Sequence, residues 1–181
     1  FGMADLDNDD DFDIVAFSSS SEASYVENTG SNTNASFASG LQNVFGLENP
    51  VYPQGPPNLI DIDGDADYDL IFTRNDTVRM QENIGTPNAP MFSPSVAQPF
   101  GLTYEVDEID FVDIDLDGDL DIVSASYRQQ PRLLENIGTP LSPQFSAPEP
   151  LPMGHARGSV TFVDIDFDGD ADVFNTQPGR V

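Results

Sequence analysis

Residues 113–121 read Asp113-Ile114-Asp115-Leu116-Asp117-Gly118-Asp119-Leu120-Asp121, with an aspartate at every odd position and a glycine at the sixth. The same alternation of aspartates stands without gaps at Asp5–Asp13, Asp61–Asp69 and Asp164–Asp172. The four starts are 56, 52 and 51 residues apart. Self-similarity at such a period marks a repeat architecture, each repeat being one supersecondary unit.

Two further markers keep pace with the loops. Glu-Asn-x-Gly follows as Glu27-Asn28-Thr29-Gly30, Glu82-Asn83-Ile84-Gly85 and Glu135-Asn136-Ile137-Gly138, and ten residues after each glutamate comes Phe37, Phe92 or Phe145. Each unit then closes on Phe45-Gly46-Leu47, on Phe100-Gly101-Leu102 or, more loosely, on Met153-Gly154-His155. Between markers the pattern is that of short strands separated by breakers such as Gly85-Thr86-Pro87 and Pro56-Pro57. An apolar segment enters each acidic loop (58–60, 109–112, 161–163) and another leaves it (14–17, 70–72, 122–125). A third ends at the Glu-Asn marker, and the fourth is expected around the marker phenylalanine. No window has helical periodicity. The fold class is all-β: about 3.5 repeats of roughly 52 residues, each of four antiparallel strands, the unit of a β-propeller blade. Residues 1–181 read as a single array, expected to begin and end inside a blade and to be part of a larger propeller or assembly.

The acidic loop carries the chemistry. Asp5, Asp7, Asp9, Asp11 and Asp13 are the candidate metal ligands of the first loop, and Asp61, Asp63, Asp65, Asp67 and Asp69 those of the second. Asp113, Asp115, Asp117, Asp119 and Asp121 serve the third, and Asp164, Asp166, Asp168, Asp170 and Asp172 the fourth. Alternating aspartates in a turn aim several carboxylates at one centre. Oxygen-only donors at that density suit a hard cation taking 6 to 8 oxygens, which points to Ca²⁺, up to four ions, rather than zinc or copper. Positions 1, 3, 5 and 9 are expected to ligate through side chains, and position 7, by analogy with EF-hand loops, through its carbonyl. An EF-hand or dockerin loop is itself excluded: position 12 holds Ala16, Phe72, Ser124 or Asn175, none of them a carboxylate. Gly118 and Gly169 sit at position 6, where Asp10 and Ala66 stand in the first two loops. Alanine tolerates a left-handed backbone poorly, so the second loop is expected to be the weakest or most distorted.

Composition agrees with this reading. Acidic residues outnumber basic ones 32 to 6, for a net charge of −26. Such a chain repels nucleic acid and anionic membrane and attracts cations. Five like charges in one turn repel by about 1 to 4 kcal/mol per close pair when no counter-ion is present. With 13 phenylalanines and 38% hydrophobic residues the chain is not a disordered acidic tail. It has no cysteine, so disulfides, thiolate metal sites and thiol nucleophiles are absent.

Taken together, Asp-x-Asp-x-Asp-Gly-x-x-Asp between two strands, a period near 50 and the downstream Asn-x-Gly and Phe resemble the FG-GAP/VCBS repeats of secreted bacterial proteins, a loop type shared with integrin α-subunit propellers. The resemblance covers essentially the whole chain. It implies four-stranded blades, calcium between the first two strands of each, and an extracellular or cell-surface location. It implies no single activity, since the family serves adhesins, lectins, surface and filament proteins and accessory domains of polysaccharide-degrading enzymes.

No catalytic residue is assigned and the chain is not expected to be an enzyme. His155 is the sole histidine, and without a second histidine or a cysteine there is no zinc site and no serine triad. Glu27, Glu82 and Glu135 recur with the repeat and are expected to be structural. Arg74, Arg79, Arg128, Arg132, Arg157 and Arg180 are expected to offset loop charge between blades. Tyr25, Tyr52, Tyr104 and Tyr127 are weighed as sugar-stacking or packing residues. Two function classes follow: a structural or adhesive surface module whose partners are neighbouring blades or other copies, and a carbohydrate-binding propeller, as in a lectin or beside a polysaccharide lyase.

Overall fold

The computed structural model describes residues 1–18, 22–50, 53–152 and 160–175, and among these every regular element is a β-strand. β1 (Gly2–Ala4), β2 (Asp13–Phe17), β3 (Ala23–Val26) and β4 (Leu41–Gln42) form one sheet. β5 (Pro53–Ile60), β6 (Asp69–Arg74), β7 (Thr77–Gln81) and β8 (Val96–Ala97) form the second. β9 (Glu108–Val112), β10 (Asp121–Ser126), β11 (Gln129–Leu134) and β12 (Glu149–Pro150) form the third, and β13 (Val160–Val163) pairs with β14 (Asp172–Asn175). All pairs are antiparallel and neighbours in the chain are neighbours in the sheet. Because residues 2–4 supply a first strand, the first sheet has all four strands and is not the half-blade expected at that end.

The register fixes where the acidic loops stand. Ala4 pairs with Asp13, Ile60 with Asp69, Val112 with Asp121 and Val163 with Asp172. Each loop is thus the turn between the first two strands, closed by the residue before position 1 and the aspartate at position 9. The second turn is tight: Asn75 and Asp76, both with positive φ (49° and 58°), join β6 to β7. Asparagine and aspartate are the residues that accept such a two-residue hairpin.

The sheets stack face to face in chain order. On β6, Leu70 and Phe72 join Val15, Tyr25 and Leu47 of the first repeat, whereas Ile71 joins Ile109, Ile122 and Leu134 of the third. This strand is therefore buried on both faces, which explains why Leu70-Ile71-Phe72 is a continuous apolar run rather than an alternating one. The third and fourth sheets meet through Ala125, Val160 and Phe162. Contacts between sheets concentrate on their first strands: β5 packs on β1 and β2, β9 on β5 and β6, and β13 on β9.

The repeat markers fasten these layers. Phe92 of the second sheet is buried against the first, and its N–H donates to the carbonyl of Phe45 at 2.6 Å. Phe145 of the third sheet meets Phe100 edge-on at 5.3 Å. The marker phenylalanine is consequently a wedge into the preceding sheet and not a strand centre. Phe37, Phe92 and Phe145 each make only an isolated bridge, to Asn28, Asn83 and Asn136. The fourth strand begins four residues further on, at Leu41, Val96 or Glu149. A second tie escaped the sequence reading. Gln81, wholly buried, accepts from Glu48 N–H at 3.0 Å and donates to the carbonyls of Gly46 and Ser93 at 3.0 and 2.8 Å.

Gly85 shows what the Glu-Asn-x-Gly marker demands. A Cβ there would stand 2.3 Å from the carbonyl oxygen of Ala89 and 2.6 Å from Met91 N, and Gly30 and Gly138 are crowded in the same way. Replacing Gly85 by alanine must push the turn backbone aside, at roughly 1 to 3 kcal/mol. Gly85→Ala is therefore expected to lower the denaturation midpoint clearly in urea melts, and a midpoint equal to that of the parent would refute this account of the marker.

Candidate metal centre

Hydrogen bonds within the acidic loop give each aspartate position its own task. The position-1 carboxylate accepts the N–H groups of positions 5 and 6: Asp113 from Asp117 and Gly118 at 3.1 and 3.0 Å, Asp164 from Asp168 and Gly169 at 3.2 and 3.0 Å. Asp5 and Asp61 do the same in the first two loops. Position 5 accepts the N–H of position 7 at 3.0 to 3.2 Å in all four loops. Such short-range caps on backbone donors are what aspartate offers in place of strand or helix pairing.

This wrapping needs two left-handed residues, at positions 4 and 6. They are Asn8 and Asp10, Gly64 and Ala66, Leu116 and Gly118, and Phe167 and Gly169, with φ from 61° to 99°. The sequence reading recognised only position 6. A left-handed residue other than glycine costs about 1 to 2 kcal/mol, less for asparagine and aspartate. Every loop therefore holds either one glycine or the Asn-Asp pair. In the second loop the glycine has moved to position 4, so Gly64 answers for Ala66, and this loop follows the same backbone path as its siblings rather than a distorted one.

Position 9 ties the loop to the rest of its sheet. Asp69 accepts from Ile62 N at 3.4 Å with one oxygen and from Asn83 N at 2.7 Å with the other. Asp121 is held likewise by Ile114 and Asn136, and Asp13 by Leu6, Asn28 and the Tyr25 hydroxyl. The asparagine continues the chain of bonds: Asn83 Oδ1 accepts from Gly85 N and Met91 N at 3.2 and 2.9 Å. Asn28 and Asn136 repeat this arrangement. All three asparagines and all three aspartates are buried. The Glu-Asn-x-Gly marker is thus the far end of a polar relay that starts in the acidic loop. The glutamate contributes its main chain, Glu27, Glu82 and Glu135 accepting from Ala38, Ser93 and Ser146 at 2.8 Å.

Carboxylates converge in every loop. Asp5, Asp7 and Asp9 bring one oxygen each to within 4.8 Å of one another, as do Asp61, Asp63 and Asp65. In the third and fourth loops the convergent groups are Asp113, Asp115 and Asp121, and Asp164, Asp166 and Asp172. Position 7 holds a feature that the sequence reading, which assigned it a carbonyl role, did not foresee. Asp11, Asp67 and Asp119 are 4%, 6% and 7% exposed, and each buries an Oδ1 that has no hydrogen-bond partner. Asp7 Oδ1 is in the same condition. An unpaired buried carboxylate oxygen is costly, so these atoms ask for a cation. Burial first, then the neighbouring carboxylates, push Asp7 and Asp67 up to about 6. Burial lifts Asp69 to about 7 against the opposing Asn83 N–H bond.

Among the remaining candidates that are described, Tyr25 meets a loop through its hydroxyl on Asp13. Tyr25 is core, Tyr104 packs under the Arg132 guanidinium at 4.5 Å, and Tyr127 is 64% exposed. Arg128 pairs with Glu105 at 3.4 Å and Arg79 donates to Ser95, so neither neutralises an acidic loop. His155, Tyr52, Arg157, Arg180 and the Met153-Gly154-His155 marker fall outside the described residues. No helix among the described residues is long and apolar enough to cross a membrane, which says nothing of a β-barrel.

The model of the FG-GAP-like repeat matches residues 61–124 and again 113–174. Among solved structures, one titled as the Photorhabdus luminescens Tc holotoxin pore with the mutation TccC3-D651A superposes with a TM-score of 0.56 at 17% identity. That superposition covers 94% of this chain and 8% of the other, so the likeness is one of fold, over a small part of a much longer protein. No curated protein matches by sequence.

The raised carboxylates predict an inverted acid response for the metal-free protein. Unfolded, these groups titrate near about 3.9. The folded state therefore holds more protons between about pH 4 and 7, and stability falls as pH rises through that window. After exhaustive removal of divalent ions, melting followed by circular dichroism is expected to give a higher midpoint at pH 5 than at pH 8. A midpoint that climbs over that range would contradict the loop electrostatics.

Proposed function

The chain belongs to the FG-GAP-like repeat family, and from that premise we infer a calcium-stabilised extracellular module, structural or adhesive, whose stacked sheets are blades of a β-propeller. The observation that carries the calcium reading is the set of buried carboxylate oxygens without partners at Asp7, Asp11, Asp67 and Asp119, beside three convergent carboxylates in each loop. The donor set is oxygen alone, which is the preference of calcium. Positions 1, 3, 5 and 7 would hold the ion in the first two loops and positions 1, 3, 7 and 9 in the third, while position 9 also keeps each of these loops fastened to the Glu-Asn strand. Bound calcium supplies the positive charge that lets these carboxylates stay ionised while buried. Extracellular modules of this kind bind it at about 10⁻⁴ to 10⁻³ M, matched to the millimolar calcium outside cells. Sheets buried on both faces and stacked in series support a scaffold, since the repeats spend their apolar residues on one another. Self-association, including growth into a surface filament, belongs to the same proposal.

A second reading, carbohydrate binding, has one observation in its favour. A cavity of about 320 Å³ lies between the second and third sheets, lined by Gln54, Asp107, Glu108, Ser126 and the exposed ring of Tyr127. An aromatic face with nearby amide, hydroxyl and carboxylate groups is the chemistry that holds a pyranose.

At about ten times Kd each calcium site adds roughly 1.4 kcal/mol, so four sites add on the order of 6 kcal/mol. A large rise in melting temperature in 5 mM calcium, reversed by chelator, is the expected result, and equal melting in both conditions would end the calcium reading. For the second reading, glycan-array binding that disappears in Tyr127→Ala is expected; an array without signal would remove it.

A further inference from the structure

The first two acidic loops are each touched by a turn of the sheet that follows. The turn between the third and fourth strands of the second sheet is closed by Thr86 and Ala89, each accepting the other's N–H. From it Asn88 reaches back to donate through Nδ2 to the carbonyl of Asp7 at 3.1 Å. The corresponding turn of the third sheet, closed by Thr139 and Ser142, lays Leu141 on the second loop. Leu141 Cδ2 lies 2.1 Å from where a Cβ on Gly64 would be. The two contacts are equivalent: Asn88 and Leu141 each stand three residues after a marker glycine, and Asp7 and Gly64 occupy positions 3 and 4 of their loops. Two junctions built from different residue types thus share one geometry.

The turn that makes the contact is itself held by its own loop. Asp69 at position 9 takes the N–H of Asn83, and Asn83 Oδ1 takes the N–H groups of Gly85 and Met91, which bracket Asn88. Asp121 and Asn136 do the same for the turn carrying Leu141. A continuous path of bonds and contacts therefore runs from the first loop through the second to the third.

We propose that Asn88 and Leu141 are positioning residues for the metal loops of the sheets before their own, so that calcium fills the first three loops cooperatively along the array. The inference rests on the calcium reading. Ordering the second loop fixes Asp69, hence Asn83 and the turn, and so sets the Asp7 backbone that a metal in the first loop requires. By linkage the effect is reciprocal: an ion in the first loop favours the seated turn and raises affinity in the second. The loops act as neighbours in a one-dimensional series, each interface adding its own coupling.

The test is a calcium titration of the full chain followed by the backbone amide resonances of Asp10, Ala66 and Gly118, which donate to the position-1 carboxylates of loops one, two and three. Asn88→Ala, an exposed turn position, is expected to shift the midpoint of the Asp10 signal to higher calcium by about fivefold or more, the range of ordinary couplings between sites. It should leave the Gly118 midpoint in place. Removing two ligands of the second loop with Asp63→Asn and Asp65→Asn is expected to move both the Asp10 and the Gly118 midpoints. If Asn88→Ala and the double variant both leave the other loops at their parental midpoints, the loops are independent and the proposal is overturned. A parent protein whose three signals ignore calcium would instead overturn the calcium reading beneath it.

Discussion

At position 9 of the first three acidic loops an aspartate is buried with both oxygens accepting hydrogen bonds, one from the loop itself and one from the asparagine two residues past the third strand. A carboxylate so placed can be left neither uncharged without weakening those bonds nor charged without compensation, because burial penalises the ion. The rest of the sheet is arranged about this bond. The asparagine it grips turns its own side chain to hold the next turn, and that turn admits only glycine at its tightest point. Loop, strand end and turn are in this sense one polar unit, and its dependence on charge is a dependence of the fold.

The electrostatic cost and the stacking of sheets pull against each other. Position 7 is buried in the first three loops, and burial leaves Asp11, Asp67 and Asp119 each with an oxygen that finds no donor. In the fourth loop, where only the first two strands of its own sheet lie among the described residues, Asp170 is exposed. An apolar side chain at position 7 would relieve the strain at no cost to the stack. A cation bound there, as proposed above, would give the retained aspartate its physical rationale by compensating the repulsions among the loop carboxylates.

Apolar packing obeys a simpler rule. A sheet between two others offers both faces to the core, so its second strand is apolar at consecutive positions, as in β6 and β10. Phenylalanine markers interlock neighbours, Phe92 with Phe45 and Phe145 with Phe100, while Phe37, which has no preceding sheet among the described residues, is 46% exposed. Two motifs that look independent along the chain are the two halves of one interface.

Much of this was legible from the residues alone. The period, the all-β class, the place of the acidic loop between the first and second strands, and the clustering of its carboxylates follow from local spacing and from the chemistry of aspartate, which do not depend on what packs where. Four things required tertiary structure. Position 4 proved to be left-handed as well as position 6, which moved Gly64 from an anomaly to a substitute for Ala66. The marker phenylalanine proved to be a wedge, with the fourth strand four residues beyond it. The side chain at position 7 proved to be buried and unpaired, and the turns proved to rest on the loops of other sheets. Each of these depends on atoms far apart in the chain, 81 residues for Asn88 and Asp7, or on dihedral angles shared between neighbours, and a repeat pattern states which residues recur without stating which recurrences touch.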